Sequence, residues 1–172
     1  MIVSAGGGAV SETLFAAAIA ARPATALADV PWRILAGHGL PAALFEAIGS
    51  AAPAGVVVER ARPDFTSLLV NCLLSISQGG YNTLMELLVA GTRGVIVPYA
   101  GGVETEQTLR ARRLAEDAGY VIVEEAALDA RSIARAVDAA MGGPVPVRPR
   151  IDMDSAAVTA RLVIEAANQV MG

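Results

Sequence analysis

Short apolar runs alternate with helix-period stretches along this chain, and glycine stands at the end of most of the runs. The fullest instance spans residues 72–90. An apolar run over 72–77 meets the break Gln78-Gly79-Gly80, and a helical stretch follows over 81–90. Strand, glycine turn and helix, repeated about six times, has few solutions. It predicts a parallel sheet with helices packed on both faces and right-handed crossovers. The same unit suits an anion. The first N–H groups of a helix have no partner inside it, and the helix dipole adds partial positive charge there. Glycine lets a phosphate approach the backbone with no side chain in the way.

The other units follow the same plan. Residues 2–5 form a strand that ends in Gly6, Gly7 and Gly8, and a helix follows over 10–21, with Leu14, Phe15, Ala18 and Ile19 on one face. Gly6 and Gly8 fit the first two glycines of a dinucleotide fingerprint, but Ser11 stands at the third. This loop therefore reads equally well as a βα turn with no ligand. Residues 32–36 are a second strand ending in Gly37-His38-Gly39, and Pro41 opens a helix to about 52. The β-branched run 56–59 is a third strand. Asp64 is placed to cap a short helix over 65–70. A strand over 94–98, a glycine loop over 99–103 and a helix over 104–118 come after the central unit, with Gly119 as the helix stop. Residues 120–124 are a sixth strand, and Asp129 caps a helix to 141.

The expected architecture is thus α/β: a Rossmann-like, doubly wound parallel sheet of about six strands in a single domain, 1–172. Residues 142–150 read as an extended linker, and the tail 151–172 carries a last amphipathic helix over 154–171. Ligands in such sheets bind beyond the carboxyl ends of the strands. The glycine loops 6–8, 37–39, 78–80 and 99–103 should share that rim.

Composition removes other classes. A net charge of −4 argues against a basic nucleic-acid binder. All 13 basic residues are Arg, which reflects genome composition before it reflects phosphate binding. Cys72 is the one cysteine and lies in an apolar run, so it reads as a structural thiol; with His38 as the one histidine, no metal site is expected. No run reaches the ~18 apolar residues of a membrane helix, and the first residues lack the charged start of a signal peptide. A cytoplasmic location is expected.

The rim residues carry two readings each. Backbone groups at Gly79 and Gly80, with the Ser77 hydroxyl, can hold a diphosphate, or they form a plain turn. Thr83 to Glu86 has the spacing of a capping box, with Glu86 turned back to the backbone. Alternatively Glu86 looks over the rim and accepts both hydroxyls of a ribose. Glu106 can pair with Arg110 one turn on, while Gln107 both donates and accepts, as a sugar hydroxyl requires. His38 is a solvated loop residue or a phosphate or base contact. Arg60 and Arg62 are solvated, or meet a ligand at the end of the third strand.

Assembled, these residues resemble the C-terminal, donor-binding domain of GT-B glycosyltransferases, in the family-28-like group that includes the enzyme forming lipid II. Three places carry the likeness: 3–8; 75–83 with Glu86 and Leu87; and Val97-Pro98 with Glu104, Glu106, Gln107, Arg110 and Ala111. The resemblance covers nearly the whole chain, and the last two motifs are its specific part.

The resemblance implies a nucleotide-diphosphate-sugar donor, with UDP as its nucleotide, for hexosyl or N-acetylhexosaminyl transfer. The implied donor-binding set is Gly7, Gly8, His38, Arg60, Ser77, Gly79, Gly80, Thr83, Glu86, Glu106 and Gln107. Within it the glycines lie by the diphosphate, Glu86 by the ribose, Gln107 by the sugar, and residues 58–60 by the base. It implies no metal and no cofactor, and no nucleic-acid partner. Glu106 stands where lipid II-forming members have His, and Arg110 where they have Asn, which leaves sugar and acceptor open. The chain has about half the length of a two-domain GT-B enzyme. The expectation is therefore a piece of a longer enzyme, or a subunit whose acceptor domain and catalytic base come from a partner, with at most peripheral membrane contact. The alternatives are a nucleotide-sugar epimerase-like domain and a partner-binding module without catalysis.

Overall fold

The computed structural model describes residues 1–6, 9–98, 109, 113 and 117–146. In chain order the elements are β1 (Ile2–Ala5), α1 (Ala9–Ala21), β2 (Trp32–Ala36), α2 (Ala42–Ala51), β3 (Val56–Arg60), α3 (Phe65–Val70), β4 (Ser75–Gln78), α4 (Tyr81–Ala90), β5 (Gly94–Val97), β6 (Val121–Ile122) and α5 (Ala130–Gly142). All strand pairs are parallel, in the order β3-β2-β1-β4-β5-β6. This is the doubly wound arrangement the alternation predicts.

Each face of the sheet carries its own core. On one side Val3, Ile34, Ile76, Val95 and Val97 meet Leu14, Phe15 and Ala18 of α1 and Ile133 and Val137 of α5. On the other, Ile2, Leu35 and Ile96 meet Leu69 of α3 and Leu84, Leu87 and Leu88 of α4. Side chains alternate across a strand, so neighbouring residues such as Ile2 and Val3 feed opposite cores. Trp32 is fully buried, and its indole N–H donates to the Leu27 carbonyl at 2.9 Å. α5 is capped at its start: Asp129 accepts from the Ser132 N–H at 2.7 Å, and the Ser132 hydroxyl accepts from the Asp129 N–H at 3.0 Å.

Three expectations shift. β4 begins at Ser75, not at residue 72, because Cys72 still turns off α3, its N–H donating to the Leu69 carbonyl at 3.2 Å. Leu73 is left 52% exposed, so the apolar run there is only partly strand. Asp64 occupies the N-cap position of α3 but makes no capping bond; Arg62 holds its carboxylate with two bonds of 2.8 Å. β6 is two residues long, Val121–Ile122, shorter than 120–124. Gly119, just before it, takes a left-handed φ of +74°, as expected of a helix stop. The loop 99–103, most of the helix 104–118, residues 147–150 of the linker and the tail 151–172 lie outside the described residues.

Candidate functional site

From β1 the sheet grows one way to β2 and β3 and the other way to β4, β5 and β6. The direction reverses between β1 and β4, and in such sheets the crevice beyond that point takes the ligand. The carboxyl end of β1 leads into Gly6 and that of β4 into Gly79. The Gly6 N–H donates to Oε1 of Gln78 at 3.1 Å, which joins the two ends directly. Ser11, at the third fingerprint position, is fully buried, and its hydroxyl donates back to the Gly6 carbonyl at 3.0 Å.

The turn after β2 closes against the same point. The Gly37 N–H donates to the Ala5 carbonyl at 2.9 Å. A Cβ on Gly37 would stand 2.8 Å from the backbone carbon of Gly6, so no side chain fits. His38 and Gly39 are exposed on this turn. Arg60 is half-buried and anchored rather than fully solvated. Its Nη1 donates to the Leu40 carbonyl at 2.7 Å and the Gly37 carbonyl at 3.2 Å, and the guanidinium lies 4.2 Å from the centroid of the Phe45 ring. β3 runs to Arg60, opposite Ala36, and this register carries the side chain onto the turn. Arg60 therefore braces the His38 turn.

The two glycines after β4 differ in kind. Gly79 donates to the Val97 carbonyl at 2.8 Å, and a Cβ there would come within 3.1 Å of Ile96 Cγ2 and 3.3 Å of Pro98 Cα. It allows the turn to lie close on β5. Around Gly80 a Cβ would meet nothing within 4 Å among the described residues. Gly80 is the N-cap of α4 and has no side chain with which to cap it. The first N–H groups of α4, including that of half-buried Thr83, have no acceptor inside the helix.

Two readings of single residues change. Ser77 is fully buried. Its hydroxyl lies 3.0 Å from that of Ser4 and 2.8 Å from that of Ser75, on the face covered by α3 and α4. Neighbouring residues on a strand face opposite sides of the sheet, so Gln78, whose oxygen meets the Gly6 N–H, lies on the other face. The Thr83–Glu86 capping box does not form. α4 starts at Tyr81, which makes Thr83 its third residue, and Glu86 instead accepts from Oγ1 of Thr66 on α3 at 3.0 Å. Glu86 is half-buried between the two helices.

Gly7, Gly8, Glu106 and Gln107 lie outside the described residues. Arg62 pairs with Asp64 and with Glu59 at 3.3 Å, and Glu59 pairs with Arg33 at 2.6 Å. This network ties the end of β3 to the start of α3. The Arg62 guanidinium beside Asp64 holds its carboxyl below the usual range. Among the described residues no group of three or more His, Cys, Asp or Glu side chains could hold a metal ion. None of the described helices is long and apolar enough to cross a membrane. Sequence reasoning missed the Gln78 side chain and Thr66. No local signal marks Thr66, whose partner is 20 residues away.

The model of the glycosyltransferase family 28 C-terminal domain matches residues 54–159. The chain belongs to this family. Its donor-domain character follows from that membership. Among curated relatives, the UDP-N-acetylglucosamine–N-acetylmuramyl-(pentapeptide) pyrophosphoryl-undecaprenol N-acetylglucosamine transferase of Rhodospirillum centenum is 33% identical over 86 residues, 50% of this chain and 23% of that protein. The protein of the same name from Gloeobacter violaceus is 36% identical over 77 residues, 45% of this chain and 22% of that protein. Among solved structures, MurG of Acinetobacter baumannii superposes with a TM-score of 0.54 at 21% identity, over 84% of this chain and 46% of that one. The glycosyltransferase VinC in complex with dTDP gives a TM-score of 0.62 at 21% identity, over 84% of this chain and 34% of that one. The two solved chains show the fold, half of a GT-B enzyme. The matched stretches span about a quarter of the curated relatives' length.

Proposed function

We propose that this chain binds a UDP-sugar at the crevice between β1 and β4 and serves as the donor-binding half of a glycosyltransferase. One observation carries the reading: the start of α4 behind Gly79 and Gly80, where the N-cap is a glycine and a Cβ would meet nothing within 4 Å among the described residues, at the point where strand order reverses. Membership of the family supplies the reaction class.

In this reading the diphosphate lies against the first N–H groups of α4 and the backbone of Gly79, Gly80 and the Gly6–Gly8 loop. Glu86 accepts the ribose hydroxyls. The base lies by the end of β3 near Arg60, with His38 on the adjoining turn. Glu106 and Gln107 receive the sugar. An acceptor oxygen displaces the nucleoside diphosphate at the anomeric carbon: the new glycosidic bond forms as the bond to the β-phosphate oxygen breaks. Charge grows on the leaving diphosphate, where preorganised N–H donors and the helix dipole stabilise it most. The acceptor site and the catalytic base come from an acceptor domain or a separate subunit, so this chain alone binds donor but turns over poorly. The reading puts the domain in the cytoplasm, in peripheral contact with a membrane at most.

The test is calorimetric titration of the chain with UDP, GDP, ADP and dTDP. Selective one-to-one binding of UDP is expected. Preference for dTDP would keep the donor role and change the base, and binding of none would overturn the reading.

A further inference from the structure

Glu86 is held from a neighbouring helix. Thr66, the second residue of α3, donates its hydroxyl to Oε1 of Glu86 at 3.0 Å across the α3–α4 contact. A carboxylate has about four acceptor positions. Thr66 uses one on Oε1, and Oε2 has no protein partner among the described residues. Both side chains are half-buried, not closed off.

We propose that Thr66 is a positioning residue that sets the ribose selectivity of the donor site through Glu86; this rests on the donor-binding reading above. Glu86 alone has three free torsions. Threonine is restricted at χ1, so its hydroxyl has few positions to choose from. It removes torsional freedom from the carboxylate before the ligand arrives, which raises affinity by lowering the ordering cost. The anchor is itself held. Arg62 bonds Asp64 immediately before α3 and reaches back to Glu59 on β3, which pairs with Arg33 on β2. The strand end assigned to the base and the carboxylate assigned to the ribose are thereby linked through α3. Thr66 touches no part of the donor and acts only through Glu86.

The test compares UDP with 2′-deoxy-UDP by calorimetry on the full chain, as parent, Thr66→Val and Thr66→Ser, with circular dichroism to establish folding. The parent is expected to favour UDP by about tenfold, one hydrogen bond to a charged acceptor. Thr66→Val, which keeps shape but not the donor, should bring the ratio close to one. Thr66→Ser should restore most of it. A folded Thr66→Val variant with the parent's ratio would overturn the positioning role while leaving the donor site intact. A parent that binds both nucleotides equally would remove the ribose role of Glu86 and Thr66's role with it. A parent that binds neither would overturn the donor reading itself.

Discussion

The Gly6 N–H donates to the side-chain oxygen of Gln78 at 3.1 Å, so the first strand's glycine loop and the fourth strand's end are fastened across the crevice. A neutral carboxamide oxygen here takes a backbone donor beside the proposed diphosphate position without adding charge. That combination makes Gln78 a sensitive probe of the site.

Gln78→Glu keeps the acceptor for Gly6 and adds a negative charge. Two unit charges a few ångströms apart near a protein surface interact by about 3 kcal/mol. UDP affinity should fall at least tenfold, the loss should shrink in high salt, and the melting temperature should stay close to the parent's. Calorimetry at two salt concentrations checks this; unchanged affinity would place the diphosphate elsewhere.

Ser77→Ala separates two roles of one residue. The hydroxyl is buried between those of Ser4 and Ser75, so its loss strips partners from two buried groups. The expected cost is about 1–3 kcal/mol in urea denaturation. UDP affinity of the folded variant should match the parent's, whereas a hydroxyl that held the diphosphate would lower both.

Gly37→Ala tests the closure of the rim. Its Cβ would sit 2.8 Å from the Gly6 backbone, and neither partner is a flexible side-chain end. Forced separation of the two turns should destabilise the fold by about 1–3 kcal/mol and weaken nucleotide binding with it. Gly80→Ala is the control, since its Cβ meets nothing within 4 Å among the described residues. Melting curves of the two variants should differ clearly.

Asp129 gives a pH signature. Hydrogen bonds from Ser132, backbone first and hydroxyl second, lower its pKa. The unfolded chain therefore holds a proton there over a range where the folded one does not, and stability rises with pH across it. The contribution is complete above the ordinary carboxylate value of about 4 and is lost as pH falls through the lower folded value. Asp129→Asn keeps an acceptor for the cap without titrating, so urea midpoints measured down the acid limb should fall less steeply than the parent's.

Local signals were legible and distant ones were not. Glycine and proline punctuation marks β2, α2 and α4 within a residue or so, because helix stops and turns are decided by neighbours in sequence. The alternation also predicts the parallel, doubly wound sheet. Where two local templates competed, the sequence could not choose. Thr83 and Glu86 have capping-box spacing, yet α4 starts earlier, at Tyr81. Asp64 is an acceptable cap, yet Arg62 two residues back offers it a bidentate partner. Leu73 looks like strand but faces solvent. At the site, the glycine turns were readable as backbone features. The contacts that set side-chain roles, Gln78 to Gly6, Ser77 to Ser4 and Glu86 to Thr66, join residues 20 or more positions apart, and only the packed sheet brings them together.

The central claim is that this chain carries the nucleotide half of a glycosyl donor site, with Glu86 on the ribose. Titration of UDP into the parent and into Glu86→Ala tests it most directly. One UDP per chain is predicted for the parent, with affinity at least tenfold weaker in the variant, about the worth of hydrogen bonds to a charged acceptor. Equal binding by the two, or no binding by a folded parent, would contradict it.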